Sequence, residues 1–324
     1  MNPSAIDKYG FKAASLLYLK EHGFFPKKLL VLDRLPSFQA FKDMLDQVGL
    51  ANIPFGIRFS PHNPQLCIKS KHQITDCKIG YDFLKEYEHQ GTAIIQEHTT
   101  PYMMGTLYFG KEAIIVNIVP GTWASSACDS CDVIEISDNI IYYKYTKNRH
   151  ALYADEKGFE PRIVAPFSQI QIERLIEMFR KLLTKLSLVQ KERMMIEFIV
   201  DEDYHFLAME LKESKAVIPY FKTNSLSNLF EINEMSDIVD WDKRSDLLIS
   251  VKLGRSHPPG FFSMINEIKK HKDNVYIKYG LLSHPAILLR EHGIKTEQYT
   301  NHYDKIVFPL QTFKNTKTIF QAKR

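Results

Sequence analysis

Met195-Ile-Glu-Phe-Ile-Val-Asp-Glu-Asp-Tyr-His-Phe-Leu-Ala-Met-Glu-Leu211 is the stretch on which the reading of this chain turns. Two apolar runs, 195–200 and 205–211, flank the polar Asp201-Glu-Asp, a pattern that predicts a β-hairpin. Its arms carry Glu197 and Glu210. Two carboxylates facing one cleft need a cation to offset their repulsion, and magnesium with a nucleotide is the economical candidate. The plain alternative is a pair of solvated strand glutamates.

Working outward towards the N-terminus, Gln169 to Leu186 has the apolar spacing of a long helix, and Ile140 to Tyr145 reads as a strand. Thr92–Glu97, Gly105–Phe109 and Ala113–Val119 are short runs rich in β-branched and aromatic residues and predict an antiparallel sheet. Ile6 to His22 predicts a helix ending at Gly23, Lys27 to Leu32 a buried strand, and Phe38 to Val48 an amphipathic helix. Pro54-Phe-Gly-Ile-Arg-Phe then predicts a strand that carries Arg58.

Beyond the hairpin, Lys222 to Trp241 is polar and aperiodic, the composition of a linker. After it come a strand (Leu247–Leu253), a helix (Pro259–Lys270), a strand (Val275–Lys278), a helix (Pro285–His292) and a strand (Lys305–Leu310). This alternation predicts a small α/β domain. The fold class expected is therefore α/β (α+β), with a nucleotide-type domain at 1–222, a linker at 223–241 and a small domain at 242–324.

The 324 residues exceed one ordinary domain, and 42 basic against 38 acidic residues, interspersed, leave a net charge of +4. Such a balance provides no basic stripe for a phosphate backbone, so nucleic acid is not expected as a partner. No apolar run approaches the length of a bilayer span, and the start of the chain does not read as a secretion signal, so a cytoplasmic protein is expected. Cys67, Cys77, Cys128 and Cys131 are too few for a disulfide scaffold. Cys128 and Cys131 form a CxxC with no second CxxC and no close histidine pair, and all four read as free thiols.

Tyr9-Gly-Phe-Lys-Ala-Ala-Ser-Leu resembles the Gly-Gly-Lys-Ala-Ala-Asn-Leu opening of the nucleotide-binding domain of phosphoenolpyruvate synthase, pyruvate phosphate dikinase and rifampicin phosphotransferase, an ATP-grasp domain. Lys12 falls on that family's phosphate-binding lysine. Ile57-Arg58-Phe-Ser is similar to the family's Val-Arg-Ser-Ser, whose arginine contacts the transferred phosphates. Ile94-Ile-Gln96-Glu97-His98 resembles the strand that leads into the adenine-binding hinge. Ile196-Glu197-Phe198 is similar to Ile-Glu-Trp, and Met209-Glu210-Leu-Lys212 stands where the family has Leu-Gln-Ser-Arg. The resemblance implies ATP and Mg2+ as cofactors, with Lys12, Arg58, Gln96, Glu97, His98 and Lys212 on the nucleotide and Glu197 and Glu210 on the metal. Phe11 stands in place of a glycine, Phe59 and Pro61 in place of small residues, and Lys212 in place of an arginine.

Gly280-Leu-Leu-Ser-His284-Pro-Ala-Ile-Leu-Leu-Arg-Glu-His-Gly-Ile resembles the phosphohistidine signature of the same family's swivelling domain, with Pro285 in place of a small residue. Chemically, a histidine just ahead of a helix lies near N-terminal amides, which favour an arriving phosphoryl group. The resemblance implies that His284 is phosphorylated from ATP, with Lys12 and Arg58 assisting, and passes the group on with release of AMP and phosphate. Leu253-Gly-Arg-Ser-His257 resembles, loosely, the loop that opens the mobile domain.

The family's pyruvate-binding barrel has no counterpart in this sequence. The acceptor is therefore expected to be a small molecule or to sit on a partner protein. Two other readings stand beside this one. A degenerate ATP-binding module without turnover would accommodate the bulky Phe11, Phe59 and Pro285. An ATP-grasp ligase would use the two glutamates and give His284 no part.

Overall fold

The computed structural model describes residues 3–61, 70–110, 114–121, 131–137, 140–146, 150–155, 158–186, 194–213, 228–251, 260–278, 280, 282–299 and 303–309. The chain is mixed α/β and divides into two compact units, Met1–Thr100 with His205–Leu211, and Pro101–Tyr204 with Lys212–Arg324.

The first unit begins with α1 (Pro3–Glu21), β1 (Leu29–Leu32), α2 (Phe38–Gln47), β2 (Phe55–Pro61), β3 (Lys71–Ile74), α3 (Cys77–Glu86) and β4 (Gly91–Glu97). Its sheet has the order β1-β4-β2-β3, with every pair antiparallel. Because successive side chains alternate between faces, Phe55, Ile57 and Phe59 share one side. There they join Ala93 and Ile95 in a core with Phe41 and Leu45 of α2 and Leu84 of α3. The opposite side of β2 carries Gly56, Arg58 and Ser60, and α1 lies against it.

The second unit holds β5 (Pro101–Phe109), β6 (Ile114–Pro120), β7 (Asp132–Ser137), β8 (Ile140–Thr146), the hairpin β9 (His150–Asp155) and β10 (Gly158–Ile163), α4 (Gln169–Lys185) and β11 (Met194–Asp201). The chain then runs through β12 (Phe206–Glu213), most of which counts with the first unit. It continues with β13 (Leu229–Ile232), β14 (Asp246–Ile249), α5 (Phe261–His271), β15 (Asn274–Ile277), α6 (His284–Glu291), β16 (Lys295–Gln298) and β17 (Tyr303–Pro309). Within this unit one antiparallel sheet runs β11-β5-β6-β7-β8-β17. The helix α4 covers one of its faces, where Phe179 meets Phe198 edge-on at 5.0 Å. A second, parallel sheet runs β13-β14-β15-β16 and shares a core with α5 and α6 through Val275, Ile277, Phe261, Ile265, Ala286 and Leu289.

Three features differ from the sequence expectation. The described part of the 223–241 stretch is folded: Leu229–Ile232 pairs with β14, and Trp241 is buried with its indole N–H on Ser245 O at 3.0 Å. The final strand, assigned to the small domain, instead pairs with β8 in the antiparallel sheet, so its partner is a strand about 160 residues earlier. Thr92–Glu97 belongs to the first unit's sheet and not with the strands that follow it. The stretch around His257 lies outside the described residues, as do Cys67 and Cys128.

Candidate functional site

At Gly10 the backbone takes φ 73° and ψ 162° and breaks α1 in two. That region of backbone space is open to glycine and costly for other residues, and a Cβ there would overlap Ser60 Oγ. The helix restarts at Phe11, so Lys12 stands in a fresh first turn, and the Ala13 N–H donates to Ser60 Oγ at 3.3 Å. The break thus turns the amide end of the restarted helix, with its lysine, towards the β2 face that carries Ser60.

Ser15, fully buried one turn further on, links α1 to the returning chain. The Leu211 N–H donates to Ser15 Oγ at 3.1 Å, and Ala208 N–H donates to Phe24 O at 2.9 Å. Those bonds fix the register that sets Glu210 beside Lys12. The ammonium of Lys12 lies 3.5 Å from Glu210 Oε2, with the two side chains 31% and 14% exposed. On the same side of the sheet, Arg58 Nη2 donates to Gln96 Oε1 at 3.0 Å. Lys12, Arg58, Gln96 and Glu210, expected from separate motifs, are therefore held by one unit on the side of its sheet that meets α1.

The neighbours of Gln96 behave differently. Glu97 alternates to the other side and pairs with Lys27 at 3.6 Å, while the Lys28 N–H donates to its Oε2 at 3.3 Å. Glu97, expected beside Gln96 on the nucleotide, thus faces the other side of the strand, because alternation separates adjacent residues. His98 is held through its backbone N–H on Pro54 O at 2.9 Å. Its ring Nε2 is buried with no hydrogen-bond partner among the described residues, and burial pulls its pKa below the ordinary histidine value.

Glu197, Lys212 and His284 belong to the second unit. Glu197 lies in β11 opposite Thr106. His284 opens α6, with Ser283 at the N-cap and Pro285 in the first turn. The side chains of Lys212 and His284 lie outside the described residues. Cys77 and Cys131 are free thiols, as expected, and burial pushes the Cys131 thiol up to about 12.

Sequence reasoning missed Ser15 and Ser60 as the residues that position the cations. Ser60 was within reach of it, since it follows Arg58 by two places and so must share its face. Ser15 gave no local signal, because its partner is 196 residues away.

These features define an α/β protein with a paired lysine and glutamate at a restarted helix end and, in the same unit, a partly buried arginine on the sheet side that α1 covers. No protein-family model matches the chain, and no curated protein matches it in sequence. Among solved structures, D-alanyl-alanine synthetase A from Vibrio cholerae is similar at 9% identity and a TM-score of 0.38, covering 65% of this chain and 57% of its own. D-alanine–D-alanine ligase from Bacillus anthracis complexed with ATP is 12% identical with a TM-score of 0.37, covering 63% and 55%. The macrocyclase MdnC from Microcystis aeruginosa, bound with its precursor peptide, is 10% identical with a TM-score of 0.34, covering 65% and 55%. The chain spans a little over half the length of these structures. Among the described residues no helix is long and apolar enough to cross a membrane.

Proposed function

We propose that the chain is an ATP-dependent enzyme of the ATP-grasp kind, holding ATP on the α1 side of its first unit and passing a phosphoryl group to an acceptor. The observation that supports this most is the Lys12–Glu210 pair, at a helix end freshly opened by Gly10, in the same unit as the Arg58–Gln96 pair on the sheet side that α1 covers. Phosphoryl transfer asks chiefly for positioned cations and a metal, and little covalent work from the protein. Lys12 and Arg58 would meet the phosphate oxygens, and Gln96 stands on the strand that the sequence resemblance leads to adenine.

The half-buried carboxylate of Glu210 suits magnesium, which takes hard oxygen ligands and is commonly held by one or two carboxylates plus phosphate. Glu197 is the second expected ligand. The ion, when bound, would neutralise charge that builds on the phosphate oxygens.

In the reading we place first, the acceptor is a carboxylate on a substrate or on a partner protein. Its oxygen bonds to the terminal phosphorus, the bond to the bridging oxygen breaks, and ADP leaves with that electron pair. The resulting acyl phosphate is then open to an amine, the chemistry of a ligase. Apart from Glu197, this route relies on groups that one unit already holds together. The second reading makes His284 the acceptor. It is favoured by the position of His284 at the start of α6, where helix amides face a phosphoryl group. It also requires the α6 segment to leave the sheet face on which Leu282 is buried.

The test is incubation of wild type, Lys12→Ala and His284→Ala with magnesium and ATP labelled at the β or γ phosphate. Nucleotide products and protein-bound label are then separated by chromatography. ADP and inorganic phosphate without labelled protein, water taking the phosphoryl group where no acceptor is added, lost in Lys12→Ala and kept in His284→Ala, is the result expected. Acid-labile label and AMP that vanish in His284→Ala would move the second reading ahead. Equal ATP binding by wild type and Lys12→Ala would sink both.

A further inference from the structure

On the antiparallel sheet of the second unit, directly opposed residues share a face. Glu197, Thr106, Asn117, Val133 and Lys144 oppose one another in turn across five strands and form one such row. Two residues along each strand, Met195, Tyr108, Ile115 and Glu135 form the next row on the same face. Thr106, Asn117, Lys144 and Glu135 are all buried, an unusual density of polar groups for a permanent core.

The segment that leads into α6 covers this face. Leu282 is buried among Tyr108, Ile115, Val133 and Met195, with Ile287 packed against them. Ser283 N–H closes a turn on Gly280 O at 2.8 Å, and the Gly280 amide reaches the Cys131 sulfur. The seat of that turn is the Asn117 amide, which a Cβ on Gly280 would overlap. Asn117 is 3% exposed in the middle of β6 and has little room to yield.

Two atoms at this contact, Asn117 Oδ1 and Ser283 Oγ, are buried with no hydrogen-bond partner among the described residues. Permanent cores satisfy the large majority of such groups. An interface that opens can leave them unsatisfied, because water meets them in the open form.

We propose that Asn117 is a positioning residue, the stop against which Gly280 seats, and that it sets the start of α6 reversibly over the polar row of Glu197, Thr106 and Lys144. The partner of this face is thus Gly280 with the stretch Leu282–Glu291 of the same chain. Opening bares the row to ligand, and closing shields it. The inference is independent of whether the phosphoryl acceptor is a substrate carboxylate or His284.

The experiment combines hydrogen exchange with alkylation of Cys131 by iodoacetamide, followed by mass spectrometry of the Cys131 peptide, on the full chain without nucleotide. In wild type, Cys131 and the amides of 282–289 should open at least about tenfold more often than the amides of β5 and β6, the signature of local opening. Gly280→Ala should raise Cys131 alkylation by a further factor of about ten, and Gly280→Ala with Asn117→Ser should restore the wild-type rate by making room for the new methyl. If Cys131 is alkylated only as fast as β5 and β6 exchange, the segment is permanent core and the proposal fails. Unchanged alkylation in Gly280→Ala, or no recovery in the double variant, overturns the role of Asn117. Should Gly280→Ala not fold, the wild-type comparison still decides whether the face opens, and Asn117→Ser alone, expected to shift Cys131 alkylation with β5 and β6 exchange unchanged, decides the role of Asn117.

Discussion

At the scale of single residues, Gly10 carries more of the candidate site than its size suggests. It holds a backbone conformation that other residues reach only at a cost, and its missing side chain leaves room for Ser60. Gly10→Ala should therefore lower stability by about 1–3 kcal/mol and weaken ATP binding together, measured by urea unfolding and by calorimetry. His98 leads to a prediction about pH. Its Nε2 is buried and its pKa is lowered by burial, so the unfolded chain takes up a proton near pH 6.5 where the folded chain does not. Stability must then rise with pH across that window. Falling pH should cost stability from about 6.5 down to the lowered value and no further from this group. Denaturant midpoints of wild type and His98→Phe at pH 7.5 and pH 5 should show the larger loss in wild type, and equal losses would mean that the ring is solvated.

At the scale of elements, a helix end gives the sharpest test. Ser168 Oγ accepts from the Gln171 N–H and the Gln171 side chain accepts from the Ser168 N–H, a reciprocal cap on α4. Ser168→Ala should cost about 0.5–2 kcal/mol without altering nucleotide binding, because α4 belongs to the second unit and the proposed ATP groups Lys12, Arg58, Gln96 and Glu210 to the first. Such a helix was legible in the sequence because an amphipathic period of 3.6 needs no distant partner. The strands β5, β6, β8 and β11 were legible for the same reason, through alternation and turn residues. By contrast α3, amphipathic but interrupted by Gly80 against the Phe55 ring, and β7, buried along its whole length and so without alternation, went unread. Pairing was harder still: nothing local in Tyr303–Pro309 says that its neighbour is β8, since strand partnership is decided by sheet closure rather than by the strand itself. The candidate site divides the same way. Lys12, Arg58 and Glu210 could be named from short motifs, whereas Ser15, Ser60 and Asn117 act through contacts that only the folded chain creates.

At the scale of the whole molecule, the division into two compact units means that one unfolding free energy need not describe the chain. The proposed ATP groups Lys12, Arg58, Gln96 and Glu210 all belong to the first unit. A ligand stabilises what binds it by an amount set by its concentration over its dissociation constant, about 2.7 kcal/mol at a hundredfold excess. Magnesium ATP at that excess should therefore slow hydrogen exchange in β2, β4 and the restarted part of α1 by up to about two orders of magnitude. Lys12→Ala should abolish the effect, because it removes the cation at the helix end and leaves the half-buried Glu210 without its ion pair. Glu210→Gln should keep the shape but lose most of the magnesium dependence, since a neutral amide is a poor ligand for a hard dication. Protection confined to the second unit would place the nucleotide on the polar row of Glu197 and Asn117 instead, and would leave the Lys12–Glu210 pair as a structural link between α1 and the returning chain.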